Sequence, residues 1–312
     1  HVGGELWKID TNQQASPRRE KQIKINFCST KTQLQRRFFY GDKFWEEAAI
    51  HHKGHEIAIT VRGKLFSMPL WEEAVRQHGI RDGIRYRLPC WLSNGNIAVI
   101  SDATMLKKRK NILSSLEERL EIFDSKPSEI PIFSHKLPPG RIQEICSSPR
   151  HQHLAISTNR MELLLIIAKT GRVYKLDDSK LREIRELVFS PDGRWLAYTK
   201  YISLELSAIF IIDLKPSTKG NSITPSSPAK ITEPVRYDFS PSFDPEGRWL
   251  YFISSRTFNP IWDTVQTGTS FSRSMKPYLV TLKDDIQNPF IPKPRAPGQE
   301  INETIKNENK ES

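Results

Sequence analysis

The sequence predicts an all-β protein of the β-propeller class, and three observations lead to that prediction. A glycine-containing motif recurs along the chain at a spacing typical of propeller blades. The segments between the copies are short apolar or alternating runs without the periodicity of a long helix. The longest unbroken apolar run, 163–168, has six residues, whereas a membrane-spanning helix needs about 20. We therefore expect small antiparallel sheets repeated along the chain.

The repeat is clearest in two segments. Residues 190–198 and 244–252 share Pro, Gly, Arg, Trp and Leu in the same order, and each segment follows a phenylalanine. Weaker copies are centred on Gly54, Gly95 and His151. The five anchors, at 54, 95, 151, 193 and 247, are separated by 41, 56, 42 and 54 residues. This period matches one blade, with insertions in the two longer steps.

Each copy has the elements of antiparallel strands joined by tight turns. A Pro-Asp-Gly or Asn-Gly step supplies the positive φ that such a turn requires. In the first copy, residues 57–61 are expected to form a strand, Arg62-Gly63 a turn and 64–68 a second strand that Pro69 ends. Comparable strands are expected at 97–100, 195–198 and 208–214.

The chain is expected to contain about five blades plus a remnant, as part of a seven-bladed propeller. Residues 1–36 are interpreted as the remnant of a preceding blade and its connection, with an outer strand at 5–10. Residues 37–283 hold the blades, and 284–312 form a proline-rich linker and a polar, disordered tail. The absence of an initiator methionine suggests a piece of a longer protein.

Two segments inside the blade region do not fit the repeat. Residues 106–120 contain a basic run, Lys107 to Lys110, followed by spaced leucines among charged residues, which suggests a short helix inserted in a blade. Residues 256–274 are rich in Thr, Ser and aromatic side chains and are expected to separate two strands of the last blade.

The charge leaves a nucleic-acid or acidic partner open at first. The chain has 47 Lys plus Arg against 36 Asp plus Glu, a net charge of +11. The excess is spread along the chain, and no alternation of basic and aromatic residues of the RNA-binding kind occurs. Nucleic acid is therefore an unexpected partner, and a membrane is not expected either.

The sequence offers no catalytic, cofactor or metal residues. It contains no GxSxG, HExxH, Walker A or GxGxxG pattern in the required context. Its three cysteines form no CxxC pair, which favours a reducing compartment over zinc or disulfides. His51, His52 and His55 beside Glu56 occupy a turn and are interpreted as structural.

Aromatic side chains recur at corresponding positions of the blades, and several arginines lie at strand ends. The aromatic set is interpreted as packing between sheets; it consists of Trp91, Phe189, Trp195, Phe243 and Trp249. Arginines at strand ends are the candidates for lining a substrate channel, where they could bind peptide carboxylates; they are Arg62, Arg85, Arg87 and Arg256. The alternative for these arginines is a surface or interblade salt bridge.

Several stretches resemble the propeller region of tricorn proteases. They are 48–66, 75–79, 85–92, 118–123 and, most specifically, 255–260 with 275–282. The resemblance covers 39–292 and implies the second N-terminal propeller of a large, cytosolic, hexameric serine peptidase. It also implies that the catalytic residues lie in domains beyond this chain, and that the propeller filters or guides peptides and unfolded segments without a cofactor.

The chain departs from the family pattern at two places. Arg150-His151 replaces the usual turn pair of one blade, and 300–312 does not resemble the start of a catalytic domain. A second hypothesis therefore stays open: a stand-alone WD40-like or TolB-like propeller that binds a protein partner.

Overall fold

The computed structural model describes residues 6–9, 20–23, 40–79, 84–102, 118–126, 128–216, 223–265, 268–271, 274–286 and 288–291. Within these ranges the chain forms 24 β-strands and one short 3₁₀-helix, Gly41–Lys43. This confirms the all-β prediction.

The first three sheets each have four antiparallel strands. The first contains β3 (Trp45–Ile50), β4 (Glu56–Val61), β5 (Lys64–Pro69) and β6 (Arg76–His78). The second contains β7 (Tyr86–Trp91), β8 (Ile97–Ser101), β9 (Arg119–Phe123) and β10 (Phe133–Lys136). The third contains β11 (Ile142–Ser147), β12 (His153–Thr158), β13 (Glu162–Ile167) and β14 (Val173–Asp178).

The last two sheets are less regular. The fourth contains β15 (Arg185–Phe189), β16 (Trp195–Tyr201), β17 (Ser207–Pro216), β18 (Ile223–Pro225) and β19 (Ala229–Lys230), the last two both pairing with β17. The fifth has β20 (Asp238–Phe243), β21 (Trp249–Ser254) and β24 (Lys276–Thr281), with the hairpin β22 (Ile261–Asp263) and β23 (Gly268–Ser270) between the last two. A separate pair joins β1 (Leu6–Ile9) to β2 (Glu20–Ile23).

The sheets lie side by side in chain order. The first strands of successive sheets contact each other, from β3 to β7, β11, β15 and β20. The buried clusters lie between neighbouring sheets; one joins Ile100 and Ile122 of the second sheet to Leu154 of the third. All five residues of β8 are buried, because a blade between two others buries both faces. This is the packing of a propeller.

A glycine turn joins the first and second strands of four sheets. Gly54, Gly95, Gly193 and Gly247 have φ of 72°, 85°, 71° and 68°, and each donates its N–H to the carbonyl three residues earlier at 2.7–2.9 Å. A Cβ on Gly193 would also come within 2.5 Å of the Ser148 Oγ, so glycine is required there twice over. We call this edge of the molecule the glycine end.

Most predicted strands are confirmed, and the five sheets match the five anchors. The prediction of a helix over 106–120 is wrong at its end, because Arg119 begins β9; its remainder and the basic run lie outside the described residues. The predicted tail beyond residue 291 also lies outside them. The sequence did not predict the hairpin of β22 and β23.

Candidate functional site

The four predicted arginines lie at the end of the molecule opposite the glycine turns, which we call the arginine end. Arg85 and Arg87 stand where β7 begins, and Arg62 is in the turn between β4 and β5. Arg256 follows β21, whose last residue pairs with the first residue of β20. The starts of the first strands therefore meet at this end.

Arg62 is held by its turn. Arg62 and Gly63 both have positive φ, 48° and 72°, as a type I′ hairpin turn requires. The Arg62 guanidinium lies over the Phe44 ring, 5.3 Å from its centroid. The carbonyl of Gly63 accepts the N–H of Tyr86 at 2.8 Å, so this turn abuts the start of the second sheet.

Arg85 and Arg87 pair with carboxylates of two different sheets. Arg85 Nη2 lies 3.0 Å from Glu46 Oε2 of the first sheet. Arg87 Nη2 lies 3.0 Å from Glu118 Oε1 and donates to the carbonyl of Ile142, in the third sheet, at 2.8 Å. Arg87 therefore links two blades through a largely buried side chain.

Arg256 pairs within the fifth sheet. Its Nη2 donates to both carboxylate oxygens of Asp238, at 2.9 and 2.8 Å, and Asp238 is fully buried. The guanidinium also lies 5.0 Å from the centroid of the Tyr278 ring. The salt-bridge alternative thus describes the local contacts of Arg85, Arg87 and Arg256; a role in a channel stays a prediction.

A cavity of about 440 Å³ opens at the arginine end between the second and third sheets. Its charged lining consists of Arg85, Arg87, Arg141, Asp102 and Glu118. Within the described residues, the Arg141 side chain has no carboxylate at ion-pair distance; only its backbone is bonded there, donating its N–H to the Asn159 side chain and accepting the Asn159 N–H. Asp102 accepts the backbone N–H of Arg85 at 2.7 Å. Arginines thus outnumber carboxylates in this lining by three to two.

Half-buried glutamate carboxylates join the first strands of neighbouring sheets near this end. Glu144 of β11 accepts the N–H groups of Glu186 and Leu187 of β15, at 2.7 and 2.8 Å. Glu186 in turn accepts the N–H of Ser240 of β20 at 2.7 Å. Burial raises the pKa of Glu144, although both N–H groups oppose that effect.

A similar glutamate contact joins the first sheet to the second, whereas a different one joins the second sheet to the third. Glu47 of β3 accepts the N–H of Leu88, which occupies the bulge of β7. Leu88 has no carboxylate to continue the series, and Glu118 accepts the N–H of Ile142 at 2.7 Å instead. Sequence reasoning missed these glutamates, although three of the five first strands carry one three residues before their last.

A serine–histidine pair is present, but it is not a catalytic site. Ser67 Oγ lies 2.9 Å from His78 Nε2, and both residues are fully buried. The other ring nitrogen of His78 has no hydrogen-bond partner in the described part of the chain. A nucleophile must reach its substrate and needs an oriented base, and this pair meets neither requirement.

The two cysteines in the described part of the chain, Cys90 and Cys146, and the histidine cluster are not arranged for chemistry. Burial raises the pKa of the Cys90 thiol above its ordinary value, and it raises the pKa of the Cys146 thiol to about 12, so both are protonated at neutral pH. The His51 ring packs 4.8 Å from Trp91, and burial is the main cause that lowers its pKa to about 4. Within the described ranges, no group of three or more His, Cys, Asp or Glu is placed to hold a metal ion.

Three of the five aromatic residues pack between sheets as predicted, and Trp195 and Trp249 lie outside the buried clusters. Trp91 and Phe189 are buried, and Phe243 packs against the cluster between the fourth and fifth sheets. Trp195 and Trp249 are half-buried beneath the guanidinium groups that precede them in the chain, at 5.1 and 4.2 Å.

A profile of the tricorn protease second beta propeller domain matches residues 45–312. The chain belongs to this tricorn family. It is 32% identical over 281 residues to a Tricorn-like protease C-terminal subunit of Sulfurisphaera tokodaii, covering 90% of this chain and 29% of that protein. It is 30% identical to a tricorn protease homolog of Saccharolobus solfataricus, covering 91% of this chain and 24% of that protein.

The tricorn assignment agrees with the fold. The crystal structure of the tricorn protease superposes with a TM-score of 0.64 at 19% identity, covering 92% of this chain and 26% of that chain. This tricorn propeller therefore spans 24–29% of the length of these three proteins. In the described residues, no helix has the length and apolar character needed to cross a bilayer.

Proposed function

We propose that this propeller guides extended peptides toward the catalytic part of a tricorn-type serine peptidase and performs no chemistry itself. The observation that carries the proposal is the arginine-lined cavity of about 440 Å³ beside the starts of the first strands. In a propeller, the first strands border the axial channel. A carboxylate-bearing peptide is the ligand that such a lining suits.

The wider setting is part of the same proposal. The propeller occupies 37–283, between a remnant of an earlier blade in 1–36 and the linker and tail of 284–312, and it acts in a cytoplasmic, hexameric hydrolase. Selection needs no reacting group, because a narrow channel admits an extended chain and rejects a folded one. Arg62, Arg85, Arg87 and Arg256 are assigned to the channel mouth, and Arg141 is added to them.

Peptide binding to the full chain tests this function. The probe is a fluorescein-labelled dodecapeptide of Gly, Ser and Glu with a free carboxyl terminus, followed by fluorescence anisotropy. Arg141→Gln is expected to weaken binding about tenfold, since it removes a charge-assisted contact worth about 1.4 kcal/mol. Arg172→Gln, an exposed arginine on the far side of the third sheet, is the matched control and should bind like the parent.

Two results would contradict the proposal. Equal affinity for Arg141→Gln and Arg172→Gln would remove the cavity from peptide binding. Hydrolysis of the peptide by the pure chain, sensitive to a serine-directed inhibitor, would show that the propeller is not a passive guide.

A further inference from the structure

The fifth sheet differs from the other four in its outer strand. Sheets one to four each continue past their third strand, to β6, β10, β14 and β18. In the described part of the chain, β24 pairs only with β21, so its outer edge is open. An open edge presents unpaired N–H and C=O groups and is a template for another strand.

The register shows which groups of β24 point outward. The N–H of Leu282 donates to the carbonyl of Arg248 at 3.0 Å, so residues 276, 278 and 280 also bond toward β21. Because antiparallel bonding alternates along a strand, the N–H groups of Leu279 and Thr281 point away from β21. Pro277, which has no N–H, falls on an outward position, as proline on an edge strand should.

A cavity of about 900 Å³ adjoins this edge at the glycine end, between the fourth and fifth sheets. Ile211 and Ile231 line it from the fourth sheet, and Phe243, Val280 and Leu282 line it from the fifth. These five side chains are only partly buried in the cluster between the two sheets. A strand added to β24 would therefore direct every second side chain toward Ile211 and Ile231.

The acidic groups in the cavity lining already have partners. Asp192 accepts the N–H of Arg194 at 3.0 Å and the hydroxyl of Ser190. Glu246 lies 3.0 Å from a guanidinium nitrogen of Arg248. Because both carboxylates are paired, their repulsion of an acidic ligand is weakened.

The basic groups at the cavity mouth are less fully engaged. Arg150 donates only its Nε, to the carbonyl of Pro191 at 3.3 Å, and the Lys283 side chain has no hydrogen bond or ion pair in the described residues, where only its backbone carbonyl is bonded, to the N–H of Ile286. The Arg194 guanidinium is bound to Asp213. Asp284 and Asp285 follow Lys283 in the chain but do not line the cavity.

We propose that the outer edge of β24 and the adjoining cavity bind an extended peptide of about five residues. The peptide carries apolar residues at alternate positions and an acidic residue or carboxyl terminus beside Arg150 and Lys283. Its backbone pairs with Leu279 and Thr281, its apolar side chains cover Ile211 and Ile231, and its carboxylate meets the two cations. This site lies at the opposite end of the molecule from the arginine cavity and does not rest on the function proposed above.

The probe is a fluorescein-labelled Thr-Val-Thr-Val-Thr-Val-Asp peptide, titrated with the full chain and followed by anisotropy. The same peptide N-methylated at alternate residues cannot pair with a strand edge along one side. Two N-methylated peptides are made, one for each set of alternate residues. The one whose methyl groups lie on the side that pairs with β24 should bind at least tenfold more weakly than the parent peptide, and the other should bind like the parent. This comparison uses the unaltered protein.

Protein variants locate the site. Leu279→Pro removes one outward N–H without touching a bond to β21, and Leu279→Ala keeps that N–H; only the first is expected to lose about tenfold in affinity. Lys283→Gln should weaken binding several-fold and reduce its salt dependence, whereas Lys180→Gln, an exposed lysine near the third sheet, should do neither.

Two outcomes overturn the proposal. One is equal binding of the parent peptide and both N-methylated series. The other is no binding of the parent peptide at all, which includes the case in which residues after Ile291 of this chain already cover the edge.

Discussion

At the residue scale, His78 shows how burial turns a familiar catalytic pair into a structural one. Its Nε2 meets Ser67 Oγ in a site without solvent access. Burial is the main cause that lowers its pKa to about 4; the charge of Arg76 lowers it further, and that of Asp124 opposes the effect. The ring is therefore neutral in the folded protein at physiological pH.

This pKa predicts a pH dependence of stability. Below about pH 6.5 the unfolded state binds a proton at His78 that the folded state does not bind until about pH 4, so the folded state loses stability as the pH falls. Between pH 7 and pH 5 the contribution is on the order of 1–2 kcal/mol. His78→Gln should flatten the dependence measured by urea unfolding at several pH values, whatever its absolute stability.

His52→Gln is the control for that measurement, because His52 is exposed. The unfolding free energy of His78→Gln should still depend on pH to some extent, because the pKa values of buried His51 and half-buried His153 are also lowered to about 4, mainly by burial. An unchanged slope in His78→Gln would contradict the assignment of a neutral ring.

At the scale of the elements, the glutamate ties hold neighbouring blades in register. Glu144→Ala leaves the N–H groups of Glu186 and Leu187 without their acceptor, and this should cost about 2 kcal/mol or more in the free energy of unfolding. Gln143→Ala changes the adjacent exposed residue of β11 and should cost less than about 0.5 kcal/mol. Similar losses for the two variants in urea unfolding would argue against the ties.

The elements also show what the sequence could and could not predict. Strands flanking a glycine turn were predictable, since the Asp192-Gly193 step and the apolar run after it are local signals. The tie from Glu144 to Glu186 was not, because it depends on a bulge and on a partner in the next blade. The hairpin of β22 and β23 was missed because its Thr- and Ser-rich segment resembles a loop.

At the scale of the whole molecule, the repeat predicted five sheets, and the contacts between β3, β7, β11, β15 and β20 place them side by side. The exposed first strand explains why a ring of more blades is expected. Trp45 and Ile50 of β3 are 63% and 67% exposed. Such exposure is expected of apolar residues that a preceding blade would cover. The seven-bladed ring itself stays a prediction.

The candidate site was predicted only in part. Strand-end positions pointed to Arg85 and Arg87, which do line the cavity. Arg141 was missed because it joins them only when the third sheet packs beside the second. Arg256 was grouped with them by position, but its partner Asp238 lies in its own sheet.

Peptide binding at the arginine end is tested most directly by locating a bound peptide on the propeller. A dodecapeptide of Gly, Ser and Glu with one benzoylphenylalanine is photo-crosslinked to the full chain, and the attachment sites are identified by mass spectrometry. We expect attachment near Arg87 and Arg141, at the starts of β7 and β11. Attachment confined to the outer strands β6, β10 and β14 would contradict it.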